Sequence, residues 1–221
     1  MKKAAIFAGA IALAFGGMIH AEDATEVLEL ELPEPYFGGT PLDYFGENLE
    51  EPNYKPRPDF MVPAGTSNVA AGKTVTTSAG SAEFGELAML TDGDKSYEQK
   101  SLLGIAEGKQ WVQIDLGAAH NVFAIMLWHF HEGDRVYFDV KVEIADDAEF
   151  TKNVQVLFNN DHDNSAGLGE GEDQEYIETY KAKFIDTKGA TGRYVRFHSN
   201  GNTTDNFNHY VEAEVFGKSA E

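Results

Sequence analysis

From Asn68 onward the chain reads as a succession of short strands. Val136, Phe138, Val140, Val142 and Ile144 alternate with Tyr137, Asp139, Lys141 and Glu143, the clearest two-residue period in the sequence. Such a period puts one set of side chains on a core and the other in water. Trp111 to Leu116 repeats it, with Val112, Ile114 and Leu116 inward. Val122 to Phe130 is apolar at both parities, as a central strand covered on both faces should be. Val154–Phe158, Lys181–Ile185, Arg193–Phe197 and Tyr210–Phe216 complete the set, separated by clusters of Gly, Asn and Asp. No amphipathic helix of three turns competes with them. Many short strands with turn signals predict an all-β sandwich or barrel.

Residues 22–66 follow a different rule. All 7 prolines fall between Pro33 and Pro63, interleaved with Tyr36, Phe37, Tyr44, Phe45, Tyr54 and Phe60. Proline removes ladder donors and breaks helices, so this stretch should be an extended arm. The aromatic rings favour an arm lying partly on the domain, a free tether being the alternative. Before it, Lys2 and Lys3 precede an apolar run from Ala4 to Met18, and Ala21 is followed by Glu22 and Asp23. This is the pattern of a secretory signal peptide spanning residues 1–21, and the run is short for an uncleaved membrane anchor. No second apolar run of spanning length follows, so the expected location is periplasmic, cell-surface or secreted.

Composition narrows the chemistry. There is no cysteine, which excludes disulfides, thiol nucleophiles, zinc–thiolate sites and an acylated N-terminal Cys. A formal net charge of −20 disfavours nucleic acid and anionic membrane surfaces and favours cations. There is no G-x-S-x-G elbow and no H-E-x-x-H pair, and the Gly167–Gly171 stretch lacks the strand-to-helix context of a phosphate loop. A glycosidase-type carboxylate pair cannot be picked out from the many acidic residues. The chain reads as a binding module and not as an enzyme.

Five segments in order carry a resemblance. They are Asn68-Val69-Ala70 with Gly72-Lys73 and Val75–Ser78, Leu90–Asp94, Trp111–Gly117, Tyr194–Phe197 and Val211–Gly217. Over residues 67–218 they resemble discoidin domains, also called coagulation factor V/VIII type C domains. The Pro-rich arm is similar to that of secreted bacterial proteins carrying such a domain. The resemblance implies a jelly-roll β-sandwich of the galactose-binding-like type. It also implies a structural calcium ion, held by side chains of Asp92, Ser96 and Glu212 with backbone oxygens of Met89, Asp94 and Val211. Calcium needs six to eight hard oxygens; a plain Asp-Gly turn is the alternative.

The ligand face is expected on loops at one end of the sandwich. Candidates are His129, His131, Glu132 and Arg135, then Asn160, Asp161 and His162 within the Asn159–Asn164 run, then Asn206, Phe207 and His209. Planar, multivalent polar groups beside an aromatic ring suit a carbohydrate or glycoconjugate. Ordinary turn chemistry and packed histidines account for the same residues. A second metal site of His129, His131, His162 and His209 with Asp161 and Asp163 is a further reading. The alternative function is a structural or adhesive envelope component whose arm binds a protein partner.

Overall fold

The computed structural model describes residues 24–36, 44–53, 55–133 and 135–220. The expected signal segment, residues 1–21, lies outside the described residues, as do Phe37, Pro41 and Tyr54 of the arm. Ten strands follow in chain order: β1 Thr25–Val27, β2 Met61–Pro63, β3 Ser67–Asn68, β4 Thr74–Thr77, β5 Leu103–Ile105, β6 Gln110–His129, β7 Lys141–Ala145, β8 Gln155–Asn159, β9 Lys183–Ser199 and β10 Asn208–Ser219. The only helical pieces among the described residues are two 3-10 turns, Leu87–Thr91 and Gln99–Ser101. The chain is an all-β, antiparallel sandwich.

Two long strands build both of its layers. β6 pairs β4 and the end of β9 along Gln110–Asp115; after an irregularity at Asp115/His120 it pairs β10 and the start of β9. β7 and β8 extend the first layer beyond β9. The segments Trp111–Leu116 and Val122–Phe130, expected as separate strands, are therefore two halves of one. The same correction applies to Lys181–Ile185 and Arg193–Phe197, which both belong to β9. Val112, Ile114 and Leu116 point into a core with Ile125, Leu127, Val142, Ile144, Phe197, Tyr210 and Val215, as alternation predicts.

The strand expected over Val136–Ile144 is mostly absent. β7 begins only at Lys141, because Asp139 adopts a left-handed conformation with φ 51. A short polar side chain tolerates that backbone region better than most. Val136, Val140, Val142 and Ile144 are buried, as the alternation predicts; next to the kink Tyr137 is buried instead of Phe138, which is half-exposed. Glu143, expected in water, is also buried, with Lys141 at 2.8 Å and His198 at 3.1 Å. Burial alone would raise its carboxyl; the two hydrogen-bond donors outweigh it and hold the group at about 2.

A second apolar cluster lies on the outer face of β6 and β10. Ala124, Met126, Trp128, Val211 and Phe216 meet Leu28 and Val62, with Leu30 and Phe60 packed beside them. β1 and β2 form a two-stranded ribbon, Glu26 opposite Val62, that holds this cover in place. Arg57 fastens it further, donating to the Lys181 carbonyl at 2.8 Å and lying over the Phe184 ring. So Val122–Phe130 is covered on both faces, and the arm is the outer cover.

Candidate functional site

The loop after β8 builds a cleft against the kink at Asp139. Residues 159–171 are folded on themselves by backbone bonds: Asn160 donates to Val140 O, Asn164 and Gly171 both to Asp161 O, and Gly167 to Asn164 O. Lys109 and Lys141 clamp the loop from outside by donating to the carbonyls of Ala166 and Leu168. The resulting cleft, about 370 Å3 and open to solvent, is lined in part by Phe138, Asp139, Asn160, His162, Asp163 and Asn200. Asn48 and Glu175 close one wall. The arm supplies that wall: Tyr44 donates to Glu175 Oε2 at 2.9 Å, its ring meets Phe138 edge-on at 5.8 Å, and Glu175 N donates to Asn48 O.

Asn160 is the most constrained group there. Its Oδ1 accepts from Val140 N at 2.7 Å, which fixes the orientation of the amide. Its Nδ2 is left buried and without a partner, and so is Nε2 of His162. An unsatisfied buried donor costs about 1–3 kcal/mol, which a ligand acceptor would recover. Burial pushes the Asp139 carboxyl up; the Asn200 bond opposes this, and the charges of Asp161 and Asp163 add to it. Asn200 also lines a second cleft of about 350 Å3 with Glu107, Gly108 and Asn206.

The predicted ligand residues thus divide. Asn160 and His162 line the first cleft and Asn206 the second, and Asp161 is buried. His129 is in the core: it is fully buried, its Nδ1 lies 2.7 Å from Glu178 Oε1, and it stacks on Tyr137 at 4.3 Å. His131 is nearly as buried and pairs with the Lys95 carbonyl at 3.1 Å. Arg135, Phe207 and His209 form a separate group: Arg135 is 3.4 Å from His209 Nδ1 and lies over Phe130, and the His209 ring meets Phe207 and Phe84. Glu132 is half-buried near the end of β6. The four histidines therefore do not converge, which removes the histidine-based second metal site. Phe138, Asp139, Asn200, Asn48 and Glu175 were missed; reading Asp139 on a regular strand hid the first two.

The Asp92 turn lies elsewhere, against β10. Gly93, at φ 87, donates to Glu212 Oε2 at 3.0 Å. Glu212 is fully buried and its Oε1 has no partner. Burial, together with the charges of Glu214 and Asp92, pushes its carboxyl up to about 8 against the Gly93 bond. The Asp94 carboxylate is occupied by Ser101 Oγ at 2.7 Å and Ser96 N at 3.0 Å, and the Ser96 hydroxyl by Ser101 at 2.8 Å. Lys95 crosses to Glu214 at 2.9 Å. Met89 sits in the 3-10 turn before Asp92, and Val211 in β10 next to Glu212.

Comparison with solved structures gives the same architecture. A family 89 glycoside hydrolase from Clostridium perfringens, in complex with 2-acetamido-1,2-dideoxynojirmycin, is 17% identical over 69% of this chain, with a TM-score of 0.51. The fold is galactose-binding-like. The matched part is 15% of that hydrolase, so the likeness is to one portion of it. The CBM32 of AlyQ, in complex with 4,5-unsaturated mannuronic acid, is 16% identical with a TM-score of 0.48, covering 65% of this chain and 93% of that one. A mutant of the lectin binding domain of lectinolysin, complexed with Lewis b, is 22% identical with a TM-score of 0.48, covering 72% and 100%. No protein-family model matches the chain, and no curated protein matches it. No helix among the described residues is long and apolar enough to cross a membrane.

Proposed function

We propose that this galactose-binding-like domain is a non-catalytic carbohydrate-binding module acting outside the cytoplasm, with its ligand in the cleft between Asp139 and the 159–171 loop. The observation that carries the reading is the Asn160 amide, locked through Oδ1 while Nδ2 stays buried and unpartnered. A sugar hydroxyl is an acceptor of the right size for that donor. His162, Asn200 and Asn48 add planar or forked polar groups around it. Phe45, 90% exposed and adjacent in sequence to Tyr44, which bonds Glu175 of the cleft wall, offers an unused aromatic face.

The expected result is glycan-array binding by the full chain that drops at least about tenfold in Asn160→Ala and in Phe45→Ala, at about 1.4 kcal/mol per tenfold. Phe45 is exposed, so its loss leaves the fold intact. An array with no hit, or binding indifferent to both changes, overturns the reading.

We further propose that calcium is a structural ion at the Asp92 turn. The orphaned, buried Glu212 Oε1 beside Asp92 suits a cation, and bound calcium would offset the burial and the Glu214 and Asp92 charges that Lys95, paired with Glu214, balances only in part. Asp92 and Glu212 would hold it through side chains, and Met89, Asp94 and Val211 through backbone oxygens. Ser96 fits less well, since its hydroxyl is engaged with Ser101. At calcium 100-fold above its dissociation constant, binding adds about 2.7 kcal/mol of stability, or roughly 5–10 °C in melting midpoint. EDTA should remove that increment; an unchanged midpoint overturns the assignment.

A further inference from the structure

Three carboxylates converge in the cleft at a place remote in sequence from the Asp92 turn. Ligand oxygens of Asp139, Asp161 and Asp163 all lie within 4.8 Å of one another. Like charges at that spacing repel, and among the described residues no Lys or Arg forms an ion pair with any of them. The two nearby lysines are turned away: Lys109 donates to the Ala166 carbonyl, and Lys141 to the Leu168 carbonyl and Glu143. The neighbours that do bind the carboxylates are neutral, namely Asn200 and Ser165 on Asp139, the Ser165 N–H on Asp163 and the Leu168 N–H on Asp161.

Asp161 carries the independent sign of a ligand. It is 0% exposed, and its Oδ1 is buried with no hydrogen-bond partner. A carboxylate oxygen excluded from both water and donors is among the costlier arrangements a protein can hold. A cation between the three groups resolves both the repulsion and the orphaned oxygen.

We infer that Asp139, Asp161 and Asp163 form a second divalent-cation site, distinct from the Asp92 turn, for a hard ion of the calcium class. The donor chemistry selects the metal. All three ligands are carboxylate oxygens, and the cleft offers Asn200 and loop carbonyls as further oxygens. Of the histidines, only His162 lines the cleft, so the set suits calcium better than zinc or copper. The ion would sit beside the Asn160 amide. The site follows from the carboxylates alone and does not depend on a carbohydrate ligand.

The experiment counts calcium on the full chain, stripped with EDTA, desalted and titrated with calcium alone, with no glycan present. The comparison is among wild type, Asp163→Asn, Asp139→Asn/Asp163→Asn and Asp92→Asn. Asp163 is exposed, so its substitution leaves the fold intact, which circular dichroism checks. The double variant should lose one bound equivalent, and Asp163→Asn should weaken that equivalent roughly tenfold or more. Asp92→Asn should retain it. Wild type that binds no calcium, or calcium uptake in the double variant equal to that of wild type, overturns the site. Because no sugar enters the measurement, a negative glycan array does not bear on it.

Discussion

Replacing His129 by alanine is expected to destabilise the domain by about 3–5 kcal/mol, the usual cost of truncating a buried aromatic ring and leaving a buried hydrogen-bonding group without its partner. His129 and Glu178 are 0% and 1% exposed, and their 2.7 Å contact is the one hydrogen bond each side chain makes at good distance. The ring also stacks between Tyr137, at 4.3 Å, and Tyr210, at 4.8 Å, so its loss opens a cavity as well as stranding a carboxyl. For a domain of this size the fall in melting midpoint should be roughly 6–20 °C, read by near-ultraviolet circular dichroism. The double change His129→Leu with Glu178→Leu should recover part of it, because no polar atom is then left unpaired. A single variant within about 1 kcal/mol of wild type would show that the pair is not what holds this part of the core.

Removing residues 24–60 should have a larger effect still. That cut takes away β1, Leu28, Leu30, Phe60 and the Arg57 anchor, leaving the outer face of β6 and β10 open at Met126, Trp128 and Phe216. Burying an aliphatic or aromatic side chain is worth about 1.5–3 kcal/mol, so three such contacts amount to roughly 5–8 kcal/mol. The truncated chain is expected to melt at least 10 °C lower, by the same conversion, and to bind the dye ANS. Leu28→Ala alone should cost about 2–3 kcal/mol, since it keeps the rest of the cover. A truncated chain that melts with the full one and leaves ANS dark would mean that the arm only rests on the sheet.

Much of this architecture is visible in the residue pattern, and the failures have a common origin. The alternation at Trp111–Leu116 and the double-sided apolar run at Val122–Phe130 both state how many faces are covered. They cannot state that the two runs are one strand, because that depends on which partners β6 finds in β9, 56 to 89 residues away. The apolar outer face at Met126 and Trp128 required a cover, and the aromatic-rich arm was the segment available to give it. Asp139 shows the opposite case: one residue at positive φ delays the strand to Lys141 and turns Phe138 toward the cleft, and no local pattern announces it. His129 and His131, expected on the ligand face, are both buried instead, which no sequence pattern announces. The 159–164 loop was singled out from composition; its meeting with Asp139 and Asn200 is a matter of long-range pairing. That the Asp92 turn faces Glu212 was carried by the resemblance of motifs, not by periodicity.

Asn200 belongs to both clefts. The end of the sandwich therefore carries two neighbouring clefts with one residue in common. Across such a pair affinity accumulates along the length of a ligand. A chain spanning both clefts gains the second set of contacts without again losing its translational freedom, whereas two separate monomers each lose theirs. If the proposed carbohydrate reading holds, such an arrangement would favour polymers over their building blocks by reach, whichever sugar occupies either end.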